Sequence, residues 1–240
     1  MQLLVSAATA ADAAAALDGG ADFIDAKDPA AGALGAVTPH TFASIVAAVG
    51  GARPVTAALG DAVSPASVEA DARMFAALGA ALVKIGLSSP ATVADAHAIA
   101  ASAVRGARAG HPGAAVVLVA YADMPHANVS PVALLDVASA AGAAGVLLDT
   151  ANKRGPRLTQ LATLAWLTEW TAQAHRRSLS VALAGRLRAE DLPIVRRCGA
   201  DVAGVRGAAC EGGRNGRIVA EAVRGLRSVC HTAGDLVTHA

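Results

Sequence analysis

A chain of 240 residues with a formal net charge of +1 offers no broad electrostatic field for a polyanion or an acidic membrane surface. Its composition is 54% hydrophobic but only 2% aromatic, which suits helices packed closely on a sheet and supplies no stacking platform for nucleic-acid bases. No apolar run approaches the roughly 20 residues that span a bilayer, so neither nucleic acid nor membrane is an expected partner.

The N-terminus enters an apolar run, Leu3 to Ser6, with no basic leader. That predicts a first strand over 3–7 rather than a signal peptide, and a cytoplasmic protein. Short β-rich runs then alternate with alanine-rich helical stretches, predicting further strands at 22–27, 54–59, 81–86, 115–121, 145–149, 180–185 and 201–206. Thr38-Pro39, Ser64-Pro65, Ser89-Pro90 and Ser130-Pro131 each put a capping hydroxyl before a proline suited to the first helical position, and so set the helix starts after the second to fifth strands. No linker or charge block divides the chain. The α/β fold expected is a single parallel (β/α)8 TIM barrel, one domain over 1–240. Cys198, Cys210 and Cys230 match neither a disulfide framework nor a paired zinc-ligand spacing, and read as buried or incidental thiols. No metal and no cofactor is expected.

A weak internal repeat fixes the register. GADFIDAK, GAALVKIG, GAAGVLLD and GADVAGVR begin at Gly20, Gly79, Gly142 and Gly199, each glycine ending a helix and leading into an even-numbered strand. Strand side chains alternate with period two, so the fifth and seventh positions after each glycine share a face. On it fall Asp25 and Lys27, Lys84 and Gly86, Leu147 and Asp149, then Gly204 and Arg206. The intervening Ile24, Val83, Ile85, Val146, Leu148 and Val205 are apolar and are expected to pack outward on the helices. The charged set therefore faces the barrel interior at the carboxyl ends of the strands, where active sites of this fold lie. The alternative is a buried ion-pair layer that merely fills the barrel end.

Of the 20 basic residues only Lys27, Lys84 and Lys153 are lysine. Arginine cannot replace lysine as a nucleophile, because its guanidinium stays protonated and its lone pairs are delocalised. Burial and a neighbouring ammonium both lower a lysine pKa towards the range an amine catalyst needs, whereas Asp25 and Asp149 oppose them. A mutational bias towards arginine with three chance survivors is the competing explanation. The seventh and eighth strands end in Ala184-Gly185-Arg186 and Gly204-Val205-Arg206-Gly207, where glycines admit backbone N–H groups to an anion and arginine adds charge. Gly185, Arg186, Gly204, Arg206 and Gly207 are accordingly the phosphate-binding candidates. Ser6, Asp123 and His126 are softer site candidates, and His126 reads better as an exposed loop residue. Trp166 and Trp170, four apart on a helix, read as packing residues.

The opening LLVSA, GGADFIDAKDPAAGALGA with its Asp25-Ala26-Lys27-Asp28-Pro29 core, VKIGL around Lys84 and LLDTANK from Leu147 to Lys153 resemble the (5-formylfuran-3-yl)methyl phosphate synthase family over nearly the whole chain. The resemblance implies a lyase that condenses two glyceraldehyde 3-phosphate molecules into the furan precursor of methanofuran-type cofactors. It implies a Schiff base on Lys27, Lys84 as proton donor and acceptor, and Asp25, Asp149 and Lys153 in support. The partners expected are small phosphorylated trioses, with homo-oligomerisation left open. The alanine-rich, arginine-for-lysine composition departs from lysine-rich archaeal members and resembles a bacterial, methylotroph-type counterpart. The rivals are a class I aldolase or phosphosugar isomerase on the same barrel, or a non-catalytic phosphometabolite-binding subunit.

Overall fold

The computed structural model describes residues 1–90 and 92–231. Eight parallel strands pair in chain order and close where the first meets the last. They are β1 (Gln2–Ala7), β2 (Phe23–Ala26), β3 (Val55–Asp61), β4 (Leu82–Gly86), β5 (Ala115–Tyr121), β6 (Gly145–Asp149), β7 (Ser180–Leu183) and β8 (Val202–Val205). The (β/α)8 barrel and all eight strands are as the sequence predicts. β3 runs further than expected because a bulge between Ala58 and Asp61 carries the pairing with β4 on to Gly86.

The helices are α1 (Ala10–Asp18), α2 (Pro39–Val49), α3 (Pro65–Ala77), α4 (Val93–Gly110), α5 (Pro131–Ala141), α6 (Leu158–Leu161), α7 (Leu164–Arg176), α8 (Leu192–Arg197) and α9 (Ala220–His231). The hydroxyls of Thr38, Ser64 and Ser130 cap α2, α3 and α5, each accepting from the backbone N–H three residues on. Ser89-Pro90 does not start α4. Thr92 does, because its hydroxyl both donates to the Asp95 carboxylate at 2.8 Å and accepts from the Asp95 N–H at 3.1 Å. That closed pair leaves Ser89-Pro90 in the preceding loop.

Gly20, Gly79, Gly142 and Gly199 have φ of +83, +103, +69 and +83°, a left-handed turn that side chains rarely adopt. The repeat therefore marks a recurring physical requirement, the sharp exit from a helix into an even strand. Ile24, Val83, Ile85, Val146, Leu148 and Val205 all lie in the main apolar core between the strands and the helices. A smaller cluster of Leu34, Ala58, Val117, Val119, Tyr121 and Leu147 forms separately. Trp166 stacks on Trp170, whose indole N–H donates to the Pro131 carbonyl at 2.8 Å, a packing arrangement. Cys198 and Cys230 are buried, Cys210 is partly so, and all three are unpaired. Among the described residues no helix is long and apolar enough to cross a membrane.

A two-stranded hairpin, β9 (Cys210–Glu211) with β10 (Arg217–Ile218), follows β8 and was not anticipated. Asp12 holds it down: one carboxylate oxygen accepts from the Ile218 N–H at 3.1 Å, the other from the Ala8 N–H at 3.0 Å and from Arg206 at 3.2 Å. Asp12 and Arg206 are each 7% exposed. Asp12→Ala is expected to cost about 3–5 kcal/mol, because it strands a buried guanidinium along with two backbone donors. Urea unfolding measures this, and a loss under 1 kcal/mol would show that the hairpin is not tied through Asp12.

Candidate active site

The carboxyl ends of the strands surround a cavity of about 550 Å³ lined by the ten residues put forward for catalysis or phosphate binding, Asp25, Lys27, Lys84, Asp149, Lys153, Gly185, Arg186, Gly204, Arg206 and Gly207, and by one of the three softer candidates, Ser6. Asp25 is 0% exposed and sits level with Ser6 on β1 and Thr56 on β3 in the strand register. The Ser6 hydroxyl donates to it at 3.0 Å, the Thr56 hydroxyl at 2.7 Å, and Lys84 Nζ lies 2.5 Å away. Burial alone would push this carboxyl up, but Lys84 and Lys27, with the hydrogen bonds from Lys84 and Thr56, hold it below its ordinary value. Asp25 is therefore a fixed anion.

A second pair stands across the mouth. Asp149, at the end of β6, accepts from Lys153 Nζ at 2.6 Å and from the Thr150 N–H at 2.7 Å through the same oxygen. Burial again raises the carboxyl, and Lys153 and Lys27 bring it below its ordinary value. The loop that carries Lys153 is held by Asp123, whose two oxygens accept from the Ala151 and Asn152 N–H groups at 2.7 and 2.8 Å. Asp123 thus positions the Lys153 loop. His126 is exposed on the β5–α5 connection and does not line the cavity.

Lys27 differs from the other two lysines. It is 7% exposed, and among the described residues its amine has no carboxylate partner and no hydrogen bond. Burial pushes the amine down to about 8, opposed by Asp149 and Asp25 and assisted by Lys84 and Lys153. Lys84 and Lys153 are each neutralised by an aspartate, so the arrangement is an uncommitted amine between two Lys–Asp pairs.

Arg206 is where the sequence reading and the structure part. Its guanidinium donates to the Ser6 carbonyl at 2.8 Å, the Arg214 carbonyl at 2.8 Å, the Gly216 carbonyl at 3.3 Å and Asp12 at 3.2 Å. Four of its five N–H groups are thus engaged by the protein. It borders the cavity, but its charge is spent on joining β1, α1 and the loop after β8. Arg186, by contrast, is exposed and has no ion-pair partner among the described residues. Its φ of +59° is unusual for a residue with a side chain and follows Gly185 at +108°. The β7 loop therefore adopts a constrained turn at the cavity wall.

Two features went unnoticed in the sequence. Thr56 lies on an odd strand, outside the repeat, although its inward register is readable once β3 is aligned with β2. Tyr121 donates to Asp61 at 3.2 Å, a pair made possible by Gly86, where a Cβ would stand 2.1 Å from the Asp61 carboxylate. Burial, then Asp61, pushes the Tyr121 hydroxyl far above its ordinary value, so it stays protonated.

A family model described as 4-HFC-P synthase matches residues 3–227. The (5-formylfuran-3-yl)methyl phosphate synthase of Methanopyrus kandleri is 39% identical over 218 residues, spanning 90% of this chain and 92% of that protein. Its counterpart in Methanocaldococcus jannaschii is 36% identical over 234 residues, spanning 96% of this chain and 100% of that protein. Both relatives are archaeal. Among solved structures, 3-hexulose-6-phosphate synthase from Salmonella typhimurium superimposes with a TM-score of 0.66 at 18% identity, covering 96% of this chain and 98% of that one. At that identity the likeness speaks for the barrel alone.

Proposed function

Because the chain belongs to the 4-HFC-P synthase family, we infer that it is a (5-formylfuran-3-yl)methyl phosphate synthase acting through a Schiff base on Lys27. The observation that carries the mechanism is the state of that amine, buried, unpaired and lowered to about 8 between two Lys–Asp pairs. The substrates of this reading are two molecules of glyceraldehyde 3-phosphate, met in the cytoplasm, and the product is the furan precursor of methanofuran-type cofactors.

Lys27 Nζ attacks the aldehyde carbon of one triose phosphate, water leaves, and an iminium forms. The iminium withdraws electrons, so the adjacent carbon loses a proton near neutral pH and an enamine results. Lys84, an ammonium beside Asp25, gives its proton to the hydroxyl that departs as water, and the neutral amine so formed takes the proton from the adjacent carbon, with Asp25 fixing it in place. The enamine carbon adds to the aldehyde of the second triose, and the carbonyl oxygen that becomes the alkoxide takes a proton. Ring closure, elimination of one phosphate and dehydration complete the furan and free Lys27. Two trioses thus give one six-carbon monophosphate, one phosphate and two waters. The Asp149–Lys153 pair is assigned to the second half, where it serves the departing oxygens.

The test of function is a furan absorbance that appears with release of one phosphate per product when glyceraldehyde 3-phosphate is supplied. An aldolase would yield a product that keeps both phosphates, and that result would remove this reading. A pH profile tests the amine. The Lys27 amine at about 8 leaves roughly a tenth in the neutral, nucleophilic form at pH 7. The rate of iminium formation is therefore expected to climb about tenfold per pH unit below that value and to level above it. A flat profile between about pH 6 and 9 would contradict a titrating Lys27.

A further inference from the structure

The cavity holds more positive charge than the carboxylates around it neutralise. Lys84, Lys153, Arg206 and Arg188 each face a carboxylate, at 2.5, 2.6, 3.2 and 3.9 Å. Lys27, Arg186 and Arg214 line the same cavity and, among the described residues, face none. Lys27 is accounted for as the amine that meets a carbonyl. Two guanidiniums remain, on the loops that follow β7 and β8.

Arg214 was not singled out in the sequence, because it lies in an irregular glycine-rich turn. It is half-buried, and one terminal nitrogen, Nη2, donates to the Gly32 carbonyl at 2.8 Å and weakly to the Pro29 carbonyl at 3.4 Å. Among the described residues its Nε and Nη1 have no acceptor. Two carbonyls orient a guanidinium without cancelling its charge, and partial burial strips it of water, so an anion is the partner it lacks. Its backbone is held in turn, since Arg206 Nε donates to the Arg214 carbonyl at 2.8 Å. The β8 loop thus uses one arginine as an internal brace and presents the next to the cavity.

We propose that Arg214 is the guanidinium of the second phosphate site, holding the phosphoryl group of one triose while Arg186 on the β7 loop holds the other. The proposal rests on the reading that both substrates are phosphorylated, and it replaces Arg206 with Arg214 as the phosphate ligand of the β8 loop. Its link to Pro29 and Gly32, two and five residues after Lys27, places that phosphate beside the strand that supplies the amine.

Inorganic phosphate titrated calorimetrically into the whole chain tests this without turnover. Arg214→Gln keeps a donor for the Gly32 carbonyl and removes the charge; it is expected to weaken one class of phosphate site by about 10- to 100-fold and leave the other. Arg186→Gln is expected to do the converse. Arg217→Gln removes a charge from the same hairpin, where Arg217 pairs with Glu211 outside the cavity, and is expected to change neither. Failure of the wild-type chain to bind phosphate, an Arg214→Gln affinity equal to wild type, or equal losses in Arg214→Gln and Arg217→Gln would each overturn the proposal. Arg214→Lys restores the charge and is expected to recover part of the affinity that Arg214→Gln loses. If phosphate binding behaves as expected but no furan forms, the reaction assignment fails and the site stands.

Discussion

Lys27→Met is expected to lower turnover by on the order of 10⁴-fold or more while making the protein more stable. The first effect follows because no other uncommitted amine lines the cavity among the described residues: Lys84 and Lys153 are held at 2.5 and 2.6 Å by aspartates. The second follows from linkage. Folding lowers Lys27 from its ordinary 10.5 to about 8, so the protonated amine costs the folded state about 3 kcal/mol. Because the folded value lies below the unfolded one, that cost is full below pH 8, shrinks as pH rises from 8 towards 10.5, and is gone above. Methionine fills similar space without charge, and the variant is expected to gain about 1–3 kcal/mol at pH 7 and to lack the wild-type rise in stability above pH 8. Urea unfolding at pH 7 and at pH 10 reads both. A variant less stable than wild type at pH 7 would mean that the amine is paired in solution.

Asp25→Ala is expected to be the most damaging substitution to stability at the site, at about 3–5 kcal/mol. Asp25 is 0% exposed and holds Lys84, Ser6 and Thr56 at once; its loss leaves a buried ammonium and two hydroxyls without their acceptor. Lys153→Met should cost less, because the Lys153 side chain is 13% exposed and Asp149 keeps its backbone donor. The sign of the pair energy is checked by the double variant Asp25→Asn/Lys84→Met, which removes both charges and should recover most of the loss. If the losses of Asp25→Asn and Lys84→Met measured singly simply add in the double variant, the charges are not coupled. Since Asp25 and Asp149 both sit below the ordinary 3.8, their stabilisation is complete above that value and disappears as pH falls through their folded values.

The barrel and most of the amine cluster were legible because strand chemistry is local. A period of two places Asp25, Lys27, Lys84 and Asp149 on one face, and the four helix-ending glycines give the phase. What the sequence concealed depends on contacts between distant segments or on loops without periodicity. Nothing near Arg206 announces that its acceptors are Ser6, Asp12 and the hairpin loop, so a glycine-arginine pair that looked like a phosphate grip is a brace. Arg214 escaped for the same reason in reverse. Thr56 was missed because the repeat covers only even strands. Ser89-Pro90 misled because a serine-proline pair resembles a helix start wherever it falls, and the better cap was the Thr92–Asp95 pair beyond it. Which lysine lacks a partner is likewise a matter of three dimensions, since Asp25 stands two residues before Lys27 in the sequence yet pairs with Lys84 on the fourth strand.

Borohydride trapping with glyceraldehyde 3-phosphate, followed by peptide mass mapping, identifies directly which lysine forms the covalent bond. A reduced triose adduct on Lys27, absent from Lys27→Met, is the predicted result. An adduct on Lys84 or Lys153, or no adduct under turnover conditions, would contradict it.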